Sequence, residues 1–216
     1  MHDSPRQILD HISELMWTRW KDHDRYLLLT VIRKLVLGKS IDIESLHSVP
    51  ELTLERIRLG LESGRYDLDE EGRIGGAFGV TVMDEMPFTI RHRNASIRVC
   101  CGLVAIMVAQ LIGDRCDVCS QDPTTGKTIR LVMDKGSVVA SQDSSGVIAV
   151  VVAPVEEMFL DDMWNSFCRY IRFYESAETL PDLASIPAPA RPASLDDMVE
   201  LASSVGERLW GDARSS

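Results

Sequence analysis

Cysteine is the residue type in this sequence that is best suited to chemistry, and four of the five cysteines fall within RVCCGLVAIMVAQLIGDRCDVC, residues 98–119. Cys116 and Cys119 have the C-x-x-C spacing at which two thiolates can bind one zinc ion, but a structural zinc site needs four ligands. The sequence therefore leaves three roles open for these thiols, namely metal ligand, nucleophile and ordinary core residue. The other ligands would come from a histidine or from the cysteines outside this pair, Cys100, Cys101 and Cys168.

Cys100 and Cys101 are neighbours in sequence, which limits the directions in which their side chains can point. On a regular helix or strand Cys100 and Cys101 point to different faces, which predicts that only one of them faces a given site. Cys168 lies apart, in the aromatic-rich segment SFCRYIRFY, whose rings either line an apolar pocket or pack in a sheet. His92 is a candidate metal ligand, although a histidine on a polar strand is more commonly solvated.

The elements that must position these thiols follow from hydrophobic periodicity. The periodicity of the N-terminal part predicts helices over residues 5–22 and 24–38. Two short helices follow, with Ser40 and Thr53 as N-caps. Strands joined by turns then follow over 66–90. Further strands are predicted in FTIRHR, SIRV, TIRLVMD, SVVAS, VIAVVVAP and SFCRYIRFY.

The helices predicted in the second half of the chain lie close to the cysteines in sequence. CGLVAIMVAQLIG predicts a buried helix that ends at Gly113, and VEEMFLDDMWN predicts a short one. PDLASIPAPARPAS is typical of a Pro/Ala linker. A last helix begins at Ser194, which forms a capping box with Asp197.

This order predicts an α+β fold, with a winged-helix-like helical subdomain followed by a mixed β-sheet core that contains a buried, cysteine-bearing helix. The predicted parts are an N-terminal helix (1–23), the winged-helix-like subdomain (24–87), the core (88–180), and a linker with a C-terminal helix (181–216).

The charge and hydropathy of the chain limit the classes of partner that it is expected to bind. A net charge of -10 disfavours nucleic acid, so the winged-helix-like front is predicted to pack rather than to bind DNA. No apolar stretch approaches the ~18–20 residues of a membrane span, and the N-terminus has no basic-then-apolar leader. We therefore predict a cytoplasmic protein with reduced thiols and no membrane partner.

Four segments in order resemble the organomercurial (alkylmercury) lyase family over roughly residues 24–180: YDLDEEGRIGGAFGVTV, CCGLVAIMVAQLIG, TTGKTIRLVM and NSFCRYIRFYES. The resemblance implies cleavage of carbon–mercury bonds in a small organomercurial substrate, with small thiols as partners and no redox cofactor. It implies two catalytic cysteines, Cys101 and Cys168, and an aspartate near them that handles the proton. Thiolates suit this chemistry because mercury is a soft metal.

The sequence departs from the family at the proton donor, since Val104 stands three residues after Cys101, where the family has its aspartate. Cys100 stands where the family usually has a tryptophan, and Asp122, with Cys119 close by, stands where the family has a further cysteine. The candidates for a replacement proton donor are the carboxylates near the following turn and a third thiol, namely Asp114, Asp117, Asp122, Cys100 and Cys119.

Three functions are consistent with these residues. The first is a carbon–mercury lyase with an altered proton donor. The second is a diverged member that binds a soft metal such as mercury, copper or zinc, or acts on a sulfur or other thiophilic substrate, through the same cysteines. The third, which the acidic charge disfavours, is a regulator that uses the thiols as a metal sensor. The metal ligands in such a site would be drawn from Cys100, Cys101, Cys116, Cys119 and Cys168.

Overall fold

Three helices form the front of the protein, in a computed structural model that describes residues 5–20, 24–83, 85–141, 146–153 and 155–211. They are α1 (Pro5–Trp20), α2 (Arg25–Leu35) and α3 (Leu54–Glu62), with a 3-10 helix at Ile43–Ser48 between the last two. Thr53 caps α3 as predicted, whereas the 3-10 helix is capped by Asp42 and not by Ser40. The predicted continuation of α1 through residue 22 lies outside the described residues.

An antiparallel sheet of eight strands forms the largest layer, in the order β1-β2-β3-β5-β4-β6-β7-β8. Strand β3 pairs with β5 through Val80 opposite Val99, so the front hairpin and the core strands share one sheet. The sheet thus crosses the predicted boundary between residues 87 and 88. The strands are β1 (Tyr66–Leu68), β2 (Ile74–Ala77), β3 (Val80–Thr81), β4 (Phe88–His92), β5 (Ala95–Val99), β6 (Cys116–Gln121), β7 (Thr128–Asp134) and β8 (Ser137–Ser141).

A second sheet consists of three antiparallel strands, in the order β10-β9-β11: β9 (Ile148–Val152), β10 (Phe173–Tyr174) and β11 (Ala190–Ser194). Strand β11 replaces part of the predicted Pro/Ala linker. An extended Pro/Ala segment can serve as an edge strand, and Pro192 lies opposite Val150 there.

The buried helix α4 (Gly102–Ile112) packs against β4, β6 and the C-terminal helix α7 (Leu195–Trp210). It is apolar except at Gln110, and Gly113 ends it with a φ of 71°, as predicted. Ser194 and Asp197 form the predicted capping box of α7. The predicted α+β class is confirmed. No helix in the described part of the chain is long and apolar enough to cross a membrane.

The segment around Cys168 differs from its prediction. Residues predicted as a strand instead form the end of α6 (Met163–Ser166), which follows α5 (Glu156–Asp161), and a 3-10 helix at Cys168–Tyr170. Only Phe173 and Tyr174 of that segment are in a strand. The carboxylate of Asp162 accepts the amide hydrogen of Asn165, and this cap stabilises a helical turn in a sequence whose aromatic residues favour a strand.

Candidate functional site

Three cysteine side chains meet in the protein interior. The sulfur atoms of Cys100, Cys101 and Cys168 all lie within 4.8 Å of one another, and the Cys100 Sγ to Cys168 Sγ distance is 3.7 Å. The side chains are 3%, 0% and 2% exposed, respectively. Within the residues that the structure describes, this is the one group of three or more cysteine, histidine or acidic side chains close enough to share a metal ion.

The junction between β5 and α4 positions two of the three thiols. Cys100 follows the last residue of β5, and Cys101 is the N-cap of α4, with extended backbone angles (φ -153°, ψ 168°). Because neither residue is inside a regular element, the alternation of faces does not apply to them. The prediction that only one of the pair can face a site is therefore wrong.

Backbone hydrogen bonds hold the other segments against this junction. The Cys100 amide donates to the Gly79 carbonyl (2.8 Å), and the Gly102 amide donates to the Ile171 carbonyl (2.9 Å). The second bond ties the start of α4 to the segment that carries Cys168. Gly102 is required for this approach, because a Cβ there would lie 2.8 Å from the Phe173 ring.

Replacing Gly79 by alanine is expected to disturb the thiols and lower the free energy of unfolding. A Cβ at Gly79 would lie 2.4 Å from Cys100 Sγ, and the φ of 69° is left-handed. The left-handed strain alone costs about 1–2 kcal/mol. Gly64 is a matched control, since its φ is 67° and nothing lies within 4 Å of a Cβ there. In urea unfolding, G79A should lose more stability than G64A; equal losses would contradict the close contact with Cys100.

The three thiols differ in proton affinity. Burial raises the pKa of Cys101, but hydrogen bonding from Cys100 and Cys168 and the amides of Leu103 and Val104 outweigh it, and the pKa falls well below its ordinary value. Hydrogen bonding with the Cys101 sulfur and burial raise the pKa of Cys100. Hydrogen bonding with the other two sulfurs, together with burial, raises the pKa of Cys168. The cluster therefore favours one thiolate, on Cys101, beside two protonated thiols.

A cavity of about 1060 Å³ is lined by residues that follow Cys168 in the chain, although no cluster cysteine lines it. Arg169, Tyr170 and Arg172, which follow Cys168 in the chain, line it. Tyr174 and Trp164 also line it, whereas Phe167 and Phe173 are buried in the core. Some aromatic residues around Cys168 thus line a pocket and others pack in the core, so both arrangements that the sequence left open occur.

A sequence model of the MerB family, described as alkylmercury lyase, matches residues 83–207, which is more than half of the chain and includes all three clustered cysteines. The chain belongs to the alkylmercury lyase family. Alkylmercury lyases of Staphylococcus epidermidis and Bacillus cereus are each 24% identical to it, over 85% of this chain and 82% of theirs. The alkylmercury lyase of Pseudomonas putida is 26% identical, over 74% of this chain and 77% of that one.

A solved structure has the same fold. The crystal structure of the mercury-bound form of MerB2 superposes with a TM-score of 0.71 and 13% sequence identity, covering 93% of this chain and 99% of that one. The predicted resemblance to the alkylmercury lyase family is thus confirmed, for the chain and for its fold.

The C-x-x-C pair does not join the cluster of this family member. Cys116 and Cys119 lie three residues apart on β6, so their side chains point to opposite faces of the sheet and cannot share one zinc ion. Burial raises the pKa of Cys116 to about 11. Cys119 is half-buried and lines the cavity, and burial raises its pKa as well.

Two candidate replacements for the family aspartate, Asp114 and Asp117, form ion pairs outside the cluster. Asp114 pairs with Arg93 and Asp117 with Arg130, both at 2.8 Å. Val104 is 2% exposed on α4 and has no acidic group to offer. Within the described residues, the third sulfur of the cluster comes from Cys100. His92 contacts the Arg115 carbonyl (3.2 Å) and is outside the cluster.

Asp122 has a structural role. Its carboxylate accepts hydrogen bonds from the amides of Thr124, Thr125 and Glu175 and from the Thr179 hydroxyl, at 2.7–3.1 Å. The side chain is fully buried. Burial raises the pKa of Asp122, but these four hydrogen bonds outweigh it and lower the pKa overall. Asp122 therefore ties the turn after β6 to the segment that follows β10.

Replacing Asp122 by asparagine is expected to lower the free energy of unfolding by about 1.5–3 kcal/mol at pH 7, the range for hydrogen bonds to a charged group. The folded pKa is depressed, so the carboxylate contributes stability above its unfolded pKa of about 3.9, and this contribution is lost as the pH falls through the folded value. Asp182→Asn is the control, since exposed Asp182 accepts only a local bond from Ala184. Urea unfolding should give a difference between wild type and D122N that shrinks below pH 4; a constant difference would contradict this assignment.

Proposed function

We propose that the protein cleaves the carbon–mercury bond of small organomercurials, with three thiols in place of two thiols and an aspartate. The observation that carries the proposal is the buried cluster of Cys100, Cys101 and Cys168, with sulfur atoms within 4.8 Å of one another. Family membership supports the reaction class, and the proton donor is the part that differs in this chain.

Cys101 is the nucleophile. Its thiolate attacks mercury in R–Hg–X, a mercury–sulfur bond forms, and X leaves as an anion. Mercury is a soft metal and a thiolate is the softest ligand that a protein offers. The position at the start of α4 supports this role, because the free amides of a first helical turn favour a negative charge.

Cys100 and Cys168 complete the cleavage. The Cys100 thiol gives its proton to the carbon as the carbon–mercury bond breaks, and the electron pair of that bond forms the new C–H bond. Cys168 returns a proton to Cys100, 3.7 Å away, and its sulfur then binds mercury. The sum is R–Hg–S(Cys101) plus Cys168–SH giving RH plus mercury held between Cys101 and Cys168. Cys100 is unchanged after the turnover.

Small thiols then release the mercury. One thiol and one thiolate exchange onto mercury, which restores the Cys101 thiolate and the Cys168 thiol. The three cluster cysteines must be reduced for this cycle, and none of them is in a disulfide; we infer a cytoplasmic location from that requirement. The net charge of -10 supports our inference that nucleic acid is not a partner.

The test is release of benzene from a phenylmercury salt by the purified protein in excess small thiol. We expect benzene above the thiol-only blank, in many equivalents per protein. Benzene at the level of the blank would overturn the proposal.

Binding of a soft metal ion is a second candidate function, favoured by the third sulfur and by a cluster that contains no carboxylate. Mercury, copper(I) or zinc would be held by Cys100, Cys101 and Cys168, because soft metals prefer thiolates. A stoichiometric complex with copper(I) or zinc, together with benzene at the level of the blank, would favour this function.

A further inference from the structure

We propose that the cavity lined by the segment after Cys168 binds a carboxylate on the organic group of the substrate, through the guanidinium groups of Arg172 and Arg169. This inference rests on the proposed function and narrows its substrate class to organomercurials that carry an anionic group, such as mercurated benzoates.

Arg172 is a half-buried cation that no carboxylate of the described residues neutralises. Its Nε donates to the Arg169 carbonyl (3.1 Å), and its guanidinium carbon lies 5.8 Å from the centre of the Phe88 ring. Among the residues that the structure describes, no carboxylate lies within ion-pair distance of it. A partly buried charge that no carboxylate neutralises is unfavourable, so the site is suited to an anion from solution.

Arg169 adds a second cation to the same wall. Its side chain is exposed, and among the described residues it contacts neutral groups, the Asn165 side-chain carbonyl (3.3 Å) and the Tyr170 ring. A guanidinium group presents paired donors that match the two oxygens of a carboxylate. The rings of Trp164, Tyr170 and Tyr174 give the cavity surfaces that suit an aryl group.

The acidic residues of the cavity do not compete for these arginines. Asp122 is occupied by its four hydrogen-bond donors. Glu85 lies at the exposed rim and pairs with Arg98 at 3.8 Å. The cavity therefore keeps both guanidinium groups available to a ligand.

Arg172 also connects the cavity with the thiols. Arg172 follows Ile171, whose carbonyl accepts the amide hydrogen of Gly102 (2.9 Å), and Gly102 follows Cys101. Burial lowers the pKa of Arg172 overall, and it outweighs the negative charge of the Cys101 thiolate, which acts in the opposite direction and raises the pKa. Arg172 also lines the cavity. In the proposed site, Arg172 therefore holds the carboxylate of an aryl mercurial on the same segment of chain that carries Cys168.

The activity test compares 4-(hydroxymercuri)benzoate with phenylmercury hydroxide, which differ by the carboxylate. For the wild type we expect a kcat/KM at least about tenfold higher for the benzoate, and in Arg172→Met this preference should fall by about tenfold, as for the loss of a charged hydrogen bond. Arg169→Met should reduce the preference by a smaller factor. Arg58→Met, which removes an exposed charge paired with Glu62 on α3, should keep the full preference. Equal losses on both substrates in R172M would overturn the proposal.

A binding test without mercury separates this inference from the lyase reaction. Calorimetry of the full chain should give binding of benzoate at least about tenfold tighter than benzamide, and about tenfold weaker benzoate binding in R172M. Benzoate binding no tighter than benzamide would overturn the anion site even where benzene is released. Selective benzoate binding without benzene release would support the anion site and overturn the lyase alone.

Discussion

Replacing Cys101 by serine is expected to reduce benzene release from phenylmercury by at least about a thousandfold, as for loss of a nucleophile that acts within a catalytic group. A serine hydroxyl is a hard, protonated ligand at neutral pH, whereas mercury binds the soft thiolate. The N-cap position keeps its geometry, because serine caps helices well. The measurement is kcat/KM by gas chromatography of benzene.

Cys116→Ser is the matched control for this substitution. Cys116 is as buried as Cys100 but lies on β6, outside the cluster. C116S should keep kcat/KM within about threefold of the wild type, once urea unfolding has confirmed a folded protein. A C101S protein that releases benzene at the rate of C116S would remove Cys101 from the mechanism.

Replacing Cys100 by alanine is expected to lower the single-turnover rate of benzene release by about a hundredfold or more, the usual contribution of a general acid. Cys101 and Cys168 remain as the two mercury ligands in C100A, so mercury binding should persist while protonation of carbon slows. Mercury titration and rapid-quench kinetics measure these two properties separately. An unchanged rate in C100A would show that the proton comes from elsewhere.

A carboxylate at position 104 provides the rescue experiment. Val104 lies three residues after Cys101 on α4, and its amide contributes to the low pKa of that thiol. In the C100A background, Val104→Asp should restore about tenfold or more of the lost rate, by placing an acid on the same helix face. Val104→Asn is the control, since it has similar size and polarity but no carboxyl proton. Equal rates in the two double variants would contradict proton donation at this place.

The elements near the thiols could be predicted where local signals decide them. The apolar run from Gly102, its end at Gly113 and the start of the last helix at Ser194 all follow from periodicity and capping. The 3-10 helix at Cys168 could not, because its aromatic residues favour a strand and its N-cap, Phe167, makes no side-chain cap hydrogen bond that the sequence could signal.

The composition of the cluster depends on contacts between distant parts of the chain. Cys100 and Cys168 are 68 residues apart, and they meet because the Gly102 amide bonds to the Ile171 carbonyl. The C-x-x-C pair has the more familiar spacing, yet its strand separates the two thiols. Arg172 carried no signal in the sequence, because the absence of a neutralising carboxylate among the described residues is visible only in the folded protein.

A single turnover without added thiol tests the central claim most directly. Mixing one equivalent of phenylmercury with the protein should release one equivalent of benzene and leave mercury bound to cluster sulfurs, as counted by X-ray absorption. The same experiment in D2O should give singly deuterated benzene, since the proton comes from an exchangeable thiol. Phenylmercury that remains intact on the protein, with its carbon still bound to mercury, would contradict the account and leave the cluster as a metal-binding site.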